Sequence, residues 1–295
     1  MSLPQPPAPQ ITTCYRHPTR EAGRKCTRCG RPACTECLVR ADIGSQCVEC
    51  AKAGKPDVRT RARYWNARQP TLVTYAIMAI NVAVFVWIGA QDPDSMGRTG
   101  VSVEQRDLAL SEYDLAYGNE WYRLVTSGFL HFGILHIALN MFLLFQLGQM
   151  LEPMMGRVRF ALLYAAALLG GSAGVMLLNQ NPLELHGGAS GAVFGLMGAA
   201  AVILFQRGIN PLTTGLGMTL ILNLIITFNI PGISIGGHVG GLAAGAAAGW
   251  FMAPAKGRRF PEWTTYAAPI AIGVVAVVIS VIVANSSTVG FVPGF

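Results

Sequence analysis

Between residues 71 and 284 the sequence contains seven apolar stretches that are separated by polar segments. They cover residues 71–90, 133–151, 158–178, 189–206, 211–229, 235–253 and 267–284. Each is close to the roughly 20 residues that an α-helix needs to cross the hydrocarbon core of a bilayer. Because lipid offers no hydrogen-bond partners, such stretches fold as helices whose backbone groups pair internally. The sequence therefore predicts an all-α polytopic membrane protein.

The charged residues divide the chain into two parts that face different solvents. Of the 22 Lys and Arg residues, 13 lie before residue 70. Only 13% of all residues are charged and the mean hydropathy is +0.42, which excludes an ordinary soluble protein. The segment Met1 to Gln10 has no basic region followed by an apolar run, so no cleavable signal peptide is expected.

The positions of Lys and Arg also predict the orientation in the membrane, because cytoplasmic loops carry an excess of these residues. One set of loops contains Arg59, Arg61, Arg63, Arg68, Arg157, Arg159, Arg207, Lys256, Arg258 and Arg259. The opposite loops contain only Arg98, Arg106 and Arg123, among several acidic residues. We therefore expect a multi-pass protein of the cell membrane, with its N-terminus in the cytoplasm and its C-terminus outside.

The seven cysteines all lie in one short basic segment, from Cys14 to Cys50. With one histidine they form four pairs, each separated by two residues: Cys14 and His17, Cys26 and Cys29, Cys34 and Cys37, Cys47 and Cys50. Eight such ligands fill two tetrahedral Zn²⁺ sites and leave no position open for water. A segment of this size cannot fold on apolar burial alone, so the pattern predicts two structural zinc ions. A reducing cytoplasm agrees with this interpretation.

The cysteine segment resembles B-box and RING-like modules, in which the first and third pairs share one zinc and the second and fourth share the other. The resemblance implies one site formed by Cys14, His17, Cys34 and Cys37, and a second formed by Cys26, Cys29, Cys47 and Cys50. On spacing alone, sharing between adjacent pairs is equally open. We expect the module to bind an unidentified cytoplasmic partner. Its basic residues favour a solvated face near a membrane over a nucleic-acid partner.

Several polar residues interrupt the apolar stretches, where they are costly unless they face protein or a water-filled cavity. His136 and Asn140 are four residues apart and share one face of the second stretch. Ser190 begins the fourth stretch and His238 the sixth. All three stretches begin on the predicted outer side, so these side chains are expected at a similar depth. Glycines at spacings of four predict that the fourth and sixth helices approach closely: Gly191, Gly195, Gly237, Gly241, Gly245 and Gly249.

Four motifs carry a resemblance to a known family. They are His131-Phe132-Gly133-Ile134-Leu135-His136 with Asn140, Glu152 with Gly156-Arg157, Gly188-Ala189-Ser190-Gly191, and His238-Val239-Gly240-Gly241. In content, order and spacing they resemble the rhomboid family of intramembrane serine proteases, over about residues 71–253. The resemblance implies a six-helix core, followed here by a seventh helix. It also implies Ser190 as nucleophile and His238 as general base, with no carboxylate and no cofactor in catalysis.

The resemblance extends to supporting residues. The side chains of His136 and Asn140, with the backbone N–H of Ser190, would hold the oxyanion. Glu120-Trp121-Tyr122-Arg123 resembles the Trp-Arg loop motif of the family, with Tyr122 where Trp is usual. Phe194 stands where some members carry a Tyr beneath the catalytic His. We assign His131 to fixing a loop, Glu152 to tying helix ends together, Asn223 to bonding between helices and His186 to a loop surface.

These interpretations predict five segments. They are a disordered Pro-rich lead (1–13), a double zinc module (14–51), a basic linker (52–70), the six-helix core (71–253), and a cytoplasmic loop with the seventh helix and tail (254–295). The predicted function is an endopeptidase of the lipid bilayer that cleaves transmembrane segments of single-span membrane proteins. The alternative is a catalytically silent membrane chaperone or trafficking factor of the same fold. Loss of the serine or of the histidine would indicate that alternative, and this sequence contains both Ser190 and His238. A transporter would require charged residues near the middle of the bilayer, and the only acidic residue in a stretch region, Glu152, lies near an end.

Overall fold

The computed structural model describes residues 12–41, 43–55, 60, 70–97, 100–253 and 260–287. The lead expected over residues 1–13 and the linker expected over 52–70 fall mostly outside these ranges. The chain divides into two compact units, Met1–Trp65 and Asn66–Phe295.

Over residues 12–41 and 43–55, the N-terminal unit contains two short antiparallel hairpins followed by a short α-helix. Its elements are β1 (Arg24–Lys25), β2 (Pro32–Ala33), β3 (Leu38–Arg40), β4 (Ser45–Cys47) and α1 (Val48–Ala53). Strand β1 pairs with β2, and β3 pairs with β4. In the described part of this unit, the buried apolar residues are Ala33 and five cysteines. So small an apolar core does not stabilise a domain without additional links.

The second unit is helical at each of the seven apolar stretches. Its helices are α2 (Leu72–Gln91), α3 (Val103–Leu108), α4 (Glu112–Gly118), α5 (Arg123–Thr126), α6 (Ile134–Met155), α7 (Arg157–Leu178), α8 (Ser190–Gln206), α9 (Gly215–Asn229), α10 (Ile235–Met252) and α11 (Thr264–Ser286). Four of them, α2, α6, α7 and α11, are long and apolar enough to cross a membrane. Helices α8, α9 and α10 have 17, 15 and 18 residues. The predicted helical membrane fold is therefore confirmed, whereas the number of spans stays a prediction.

Helix α10 packs along both α7 and α8, and glycines line the two contacts. A Cβ on Gly241 would overlap the carbonyl group of Gly191 in α8. A Cβ on Gly240 would overlap the carbonyl oxygen of Gly170 in α7. The close approach predicted for the fourth and sixth stretches is present, and α10 makes a second contact of the same kind with α7. Backbones that approach this closely bring the first turns of α8 and α10 together.

The carboxylate of Glu152, near the end of α6, caps the first turn of α2. Its oxygens accept hydrogen bonds from the backbone N–H of Val73 at 3.0 Å and of Thr74 at 2.8 Å, and from the Thr74 hydroxyl at 2.7 Å. The first N–H groups of a helix have no partner within the helix, and an acidic group also suits the positive end of its dipole. Glu152 therefore joins the ends of two helices, as the sequence predicts.

The segment between α2 and α6 folds into helices α3, α4 and α5, and the buried side chain of Arg123 holds it together. Its guanidinium donates to the carbonyl oxygen of Arg106, to that of Ala109 at 2.7 Å, and to the carboxylate of Glu120. The backbones of Leu110 and His186 exchange two hydrogen bonds of 2.8 Å. This segment is thus attached to the chain just before Ser190.

Candidate active site and metal centres

The segment that precedes Ser190 is fixed by backbone bonds and by a glycine. Gly188 has φ +142°, a conformation that favours glycine. Its N–H donates to the carbonyl oxygen of Ser127 at 2.8 Å, and the N–H of Ala189 points to Nε2 of His131 at 3.5 Å. His131 is fully buried and its ring contacts the loop at this N–H, while its role in fixing the loop stays a prediction. The result is a sharp entry into α8, with Ser190 as its first residue.

Ser190 and His238 are brought together by the glycine-lined contact of α8 and α10. Oγ of Ser190 lies 2.8 Å from Nε2 of His238, which is hydrogen-bonding distance. His238 is in the first turn of α10, where the Ser234 hydroxyl caps the helix by accepting from the N–H of Gly237 at 3.0 Å. A serine hydroxyl bonded to an imidazole nitrogen is the arrangement that activates a nucleophile.

Two further residues contact the imidazole of His238. The ring of Phe194 is stacked on it, with centroids 4.1 Å apart. The other ring nitrogen, Nδ1, lies 2.7 Å from Oγ1 of Thr227 in α9. The family resemblance implied the aromatic contact, whereas no sequence pattern singled out Thr227. Threonine is common in apolar helices, and only proximity in space distinguishes this one.

His136 lies close to Gly188 and Ser190. A Cβ built on Gly188 would lie 2.8 Å from Nε2 of His136 and 3.4 Å from Oγ of Ser190, so the missing side chain leaves space between the two. The backbone N–H of Phe132 donates to Nδ1 of His136 at 3.3 Å. Since Nδ1 accepts, the proton of the neutral ring is on Nε2, which makes Nε2 a donor facing that space.

The structure brings Asn140 to the same helix face as His136, but part of its hydrogen-bonding capacity is already used. Its Nδ2 donates to the carbonyl oxygen of His136 at 3.0 Å. One of the two amide hydrogens is therefore engaged within α6. Asn223, assigned to bonding between helices, donates instead to the carbonyl oxygen of Thr219 in its own helix. This bond lies within α9, and bonding of Asn223 to another helix stays a prediction.

A cavity of about 40 Å³ opens beside Ser190. Glycines of three elements contribute to its wall, among them Gly171, Gly191 and Gly237. His186 also lines it and is largely buried, in contrast to the loop surface expected from the sequence. Burial lowers the pKa of its imidazole, which favours the neutral ring at neutral pH. The space exceeds what one water molecule requires, so it has room for water and a small side chain.

The eight predicted metal ligands form two separate groups in the N-terminal unit. One contains Cys14, His17, Cys34 and Cys37, and the other contains Cys26, Cys29, Cys47 and Cys50; within each group the donor atoms lie within 4.8 Å of one another. This is the grouping that the B-box and RING resemblance implies, whereas adjacent pairs do not share a group. Both groups are able to bind metal ions.

The spacing of the donor atoms fits tetrahedral coordination. Sγ of Cys34 and of Cys37 lie 3.5 and 3.4 Å from Nδ1 of His17, and Sγ of Cys29 and Cys47 are 3.7 Å apart. In a tetrahedral zinc site, bonds of about 2.3 Å to sulfur and 2.0–2.1 Å to nitrogen separate neighbouring donors by about 3.5–3.8 Å. The N–H of Cys47 donates to Sγ of Cys26 and lowers the pKa of that thiol to about 6, which favours the thiolate that a metal requires.

Comparison with known proteins places these features in a family context. The family model of the rhomboid domain matches residues 118–255. Rhomboid protease GluP of Bacillus subtilis is 32% identical over 208 residues, which cover 68% of this chain and 39% of GluP. The putative rhomboid protease YdcA of the same organism is 33% identical over 155 residues, covering 50% of this chain and 76% of YdcA. RHOMBOID-like protein 6, mitochondrial, of Arabidopsis thaliana is 33% identical over 148 residues, covering 49% of this chain and 48% of that protein.

Proposed function

The chain belongs to the rhomboid family, and on that basis we propose that it is an intramembrane serine endopeptidase with Ser190 as nucleophile and His238 as general base. The observation that carries the proposal is the 2.8 Å contact between Oγ of Ser190 and Nε2 of His238 beside a cavity. Both residues of the dyad are retained, which disfavours the silent chaperone. The relatives named as proteases support the same activity.

The chemistry proceeds in two steps that the dyad can perform. Nε2 of His238 takes the proton of Ser190 as Oγ bonds to the peptide carbonyl carbon, and it then gives that proton to the leaving amine as the C–N bond breaks. Water next attacks the acyl-serine ester, transferring its proton to His238, and the proton returns to Ser190 as the acid product leaves. The cavity beside Ser190 has room for that water.

In this proposal, three donors near Ser190 stabilise the negative charge on the carbonyl oxygen. The backbone N–H of Ser190 lies at the first position of α8, where it has no partner within the helix. Nε2–H of His136 faces the space beside Gly188. We propose the second amide hydrogen of Asn140 as the third donor, since hydrogen-bonding capacity remains after its bond to the carbonyl oxygen of His136. Such donors are fixed before the charge develops, which is the condition for stabilising a transition state.

We expect the substrates to be single-span membrane proteins that unwind near the cut. A membrane helix hides its carbonyl groups in its own hydrogen bonds, so a segment rich in Gly, Ala and other small residues is the easiest to extend. The cavity beside Ser190, whose wall includes several glycines, is proposed to accept a small side chain next to the scissile bond.

The two groups of cysteines and histidine are proposed to hold one Zn²⁺ each, with a structural role. Four protein ligands occupy the four coordination positions of each ion. The ions supply links that the small apolar core of the described residues does not provide. The module is proposed to bind a cytoplasmic partner, and no metal takes part in peptide hydrolysis.

The activity is tested with purified full-length protein in detergent and a model single-span protein whose outer segment is rich in Gly and Ala. We expect one cut, located by mass spectrometry, within that segment. Ser190→Ala should lower the rate at least about a thousandfold, because the nucleophile is lost. Ser280→Ala, which changes a buried serine of α11, is the matched control and should keep full activity. Cleavage by the Ser190→Ala protein would reject the assignment.

A further inference from the structure

We infer that Thr227 is a positioning residue that holds His238 in the orientation and tautomer needed to deprotonate Ser190. The inference rests on the proposed function, which it extends from two residues to three. Thr227 belongs to α9, whereas Ser190 begins α8 and His238 lies in the first turn of α10. Three helices would thus contribute to one line of hydrogen bonds.

The direction of each hydrogen bond follows from counting protons. A threonine hydroxyl has one hydrogen, and Oγ1 of Thr227 lies 2.7 Å from the carbonyl oxygen of Asn223, which can only accept. The hydroxyl hydrogen is therefore used there, and the 2.7 Å contact with His238 requires Nδ1 to donate. In a neutral imidazole with its proton on Nδ1, Nε2 carries the lone pair. That lone pair points at Oγ of Ser190, 2.8 Å away.

Thr227 is buried, which distinguishes it from the threonines that commonly bond to their own helix. Bonds from Thr to the carbonyl four residues earlier are frequent, and Thr219 makes one at 2.9 Å in the same helix. Only Gly217 and Thr227 of the 15 residues in α9 are buried. Thr227 is 2% exposed, and its oxygen faces an imidazole nitrogen. The helix therefore inserts one polar side chain where the base needs an acceptor.

A hydroxyl is suited to this position in a membrane protein. In soluble serine proteases a buried aspartate orients the histidine by accepting from Nδ1–H. An ionised side chain is costly within a bilayer, while a hydroxyl that is already bonded to a carbonyl group is neutral and still offers lone pairs. The bond from Thr227 fixes the edge of the His238 ring, and Phe194 packs on its face. Together these two contacts define the plane and the direction of Nε2.

The tautomer is tested directly by ¹⁵N NMR of histidine-labelled full-length protein, with the His238 signal identified by its loss in His238→Asn. We expect wild type and Thr227→Ser to carry the proton on Nδ1, and Thr227→Val to lose this single state. A wild-type proton on Nε2, or an unchanged spectrum in Thr227→Val, would overturn the inference.

Kinetics with the Gly- and Ala-rich model substrate provide a second readout. Thr227→Val should lower kcat by about 10- to 100-fold at unchanged KM, because a buried donor loses its acceptor, and Thr227→Ser should restore most of the rate. Thr219→Val removes the same type of helix bond away from His238 and should leave kcat unchanged. Equal losses of kcat in Thr219→Val and Thr227→Val would mean that Thr227 acts only through the stability of its helix, which would overturn the inference. Absence of cleavage by wild type would overturn the proposed function alone, since the spectra still decide the role of Thr227.

Discussion

The ring of Phe194 lies nearly parallel to the imidazole of His238, with an interplanar angle of 17° and centroids 4.1 Å apart. Phenylalanine has no hydroxyl, so this contact restrains the imidazole by stacking and not by a hydrogen bond. Aromatic pairs of this kind contribute about 0.5–1.5 kcal/mol beyond the area they bury. The contact therefore orients the base without supplying a proton or a charge.

Replacement of Phe194 by leucine should lower kcat by about 2- to 10-fold while KM stays constant, because the energy of stacking is lost and most of the volume is kept. The measurement is single-turnover cleavage of the model substrate. Phe160→Leu, at a fully buried ring in α7, controls for the loss of packing. It should lower thermal stability but not kcat. Equal kcat losses in both variants would mean that stacking has no special role.

His136→Ala should lower kcat by about 100- to 1000-fold, the typical cost of about 2.7–4 kcal/mol for a lost oxyanion donor. Asn140→Ala should cost less, because one of its amide hydrogens is already bonded to the carbonyl oxygen of His136. Asn229→Ala removes a comparable bond, to Ile225 at 2.8 Å, and should have no effect. A larger loss from Asn140→Ala than from His136→Ala would reverse the assigned order of the two donors.

Purified protein should contain two zinc ions per chain by inductively coupled plasma mass spectrometry, because eight ligands form two groups. Double substitution of His17 and Cys34 by Ala and Ser should remove one ion, since both residues belong to one group. Double substitution of Cys26 and Cys34 by Ser should remove both. If adjacent pairs of ligands shared each zinc instead, the double variant at His17 and Cys34 would lose both ions. Cleavage by the membrane unit should persist in all of these proteins.

Orientation can be tested in intact cells with a membrane-impermeant maleimide. Wild type should remain unlabelled, because its cysteines are expected in the cytoplasm, and Val103→Cys should be labelled at a side chain that is 70% exposed. We expect the basic N-terminal segment to stay inside, because moving each positive charge outward costs about 2.3 kcal/mol per 100 mV. Labelling after lysis with a chelator controls for thiol reactivity. Labelled wild-type cells would place the N-terminal unit outside.

The sequence predicted the helices of the second unit and the residues of the dyad for different reasons. Apolar length indicated where helices lie, since each stretch covers most of one helix. Ser190, His238 and His136 stood out because a polar group in an apolar stretch needs a reason. Phe194 followed from family resemblance and lies where that resemblance implies.

Other features required three-dimensional contacts. Thr227 was not selected because hydroxyls that bond to their own helix are common, and its distance to His238 depends on how α9 packs. The Trp-Arg motif indicated that Arg123 matters, but not that its guanidinium binds two carbonyl groups of the preceding segment. His186 was assigned to a surface because burial by a distant segment has no local signal. The grouping of cysteines was open on spacing and became visible only in the folded unit.

The main-chain contacts among α7, α8 and α10 imply that two sets of residues in these helices differ in their tolerance of substitution. Leu177, Phe205 and Trp250 are exposed apolar residues of these three helices, and we expect that exchanging them changes the contact with lipid. Such exchanges should leave the distance between Ser190 and His238 unchanged, because that distance depends on backbone contacts between carbonyl groups and the Cα atoms of glycines. The glycines have no comparable latitude. At Gly241 or Gly245 even one added carbon overlaps the neighbouring backbone. A second substitution cannot compensate, because the overlapping carbonyl group belongs to the main chain and is the same in every residue.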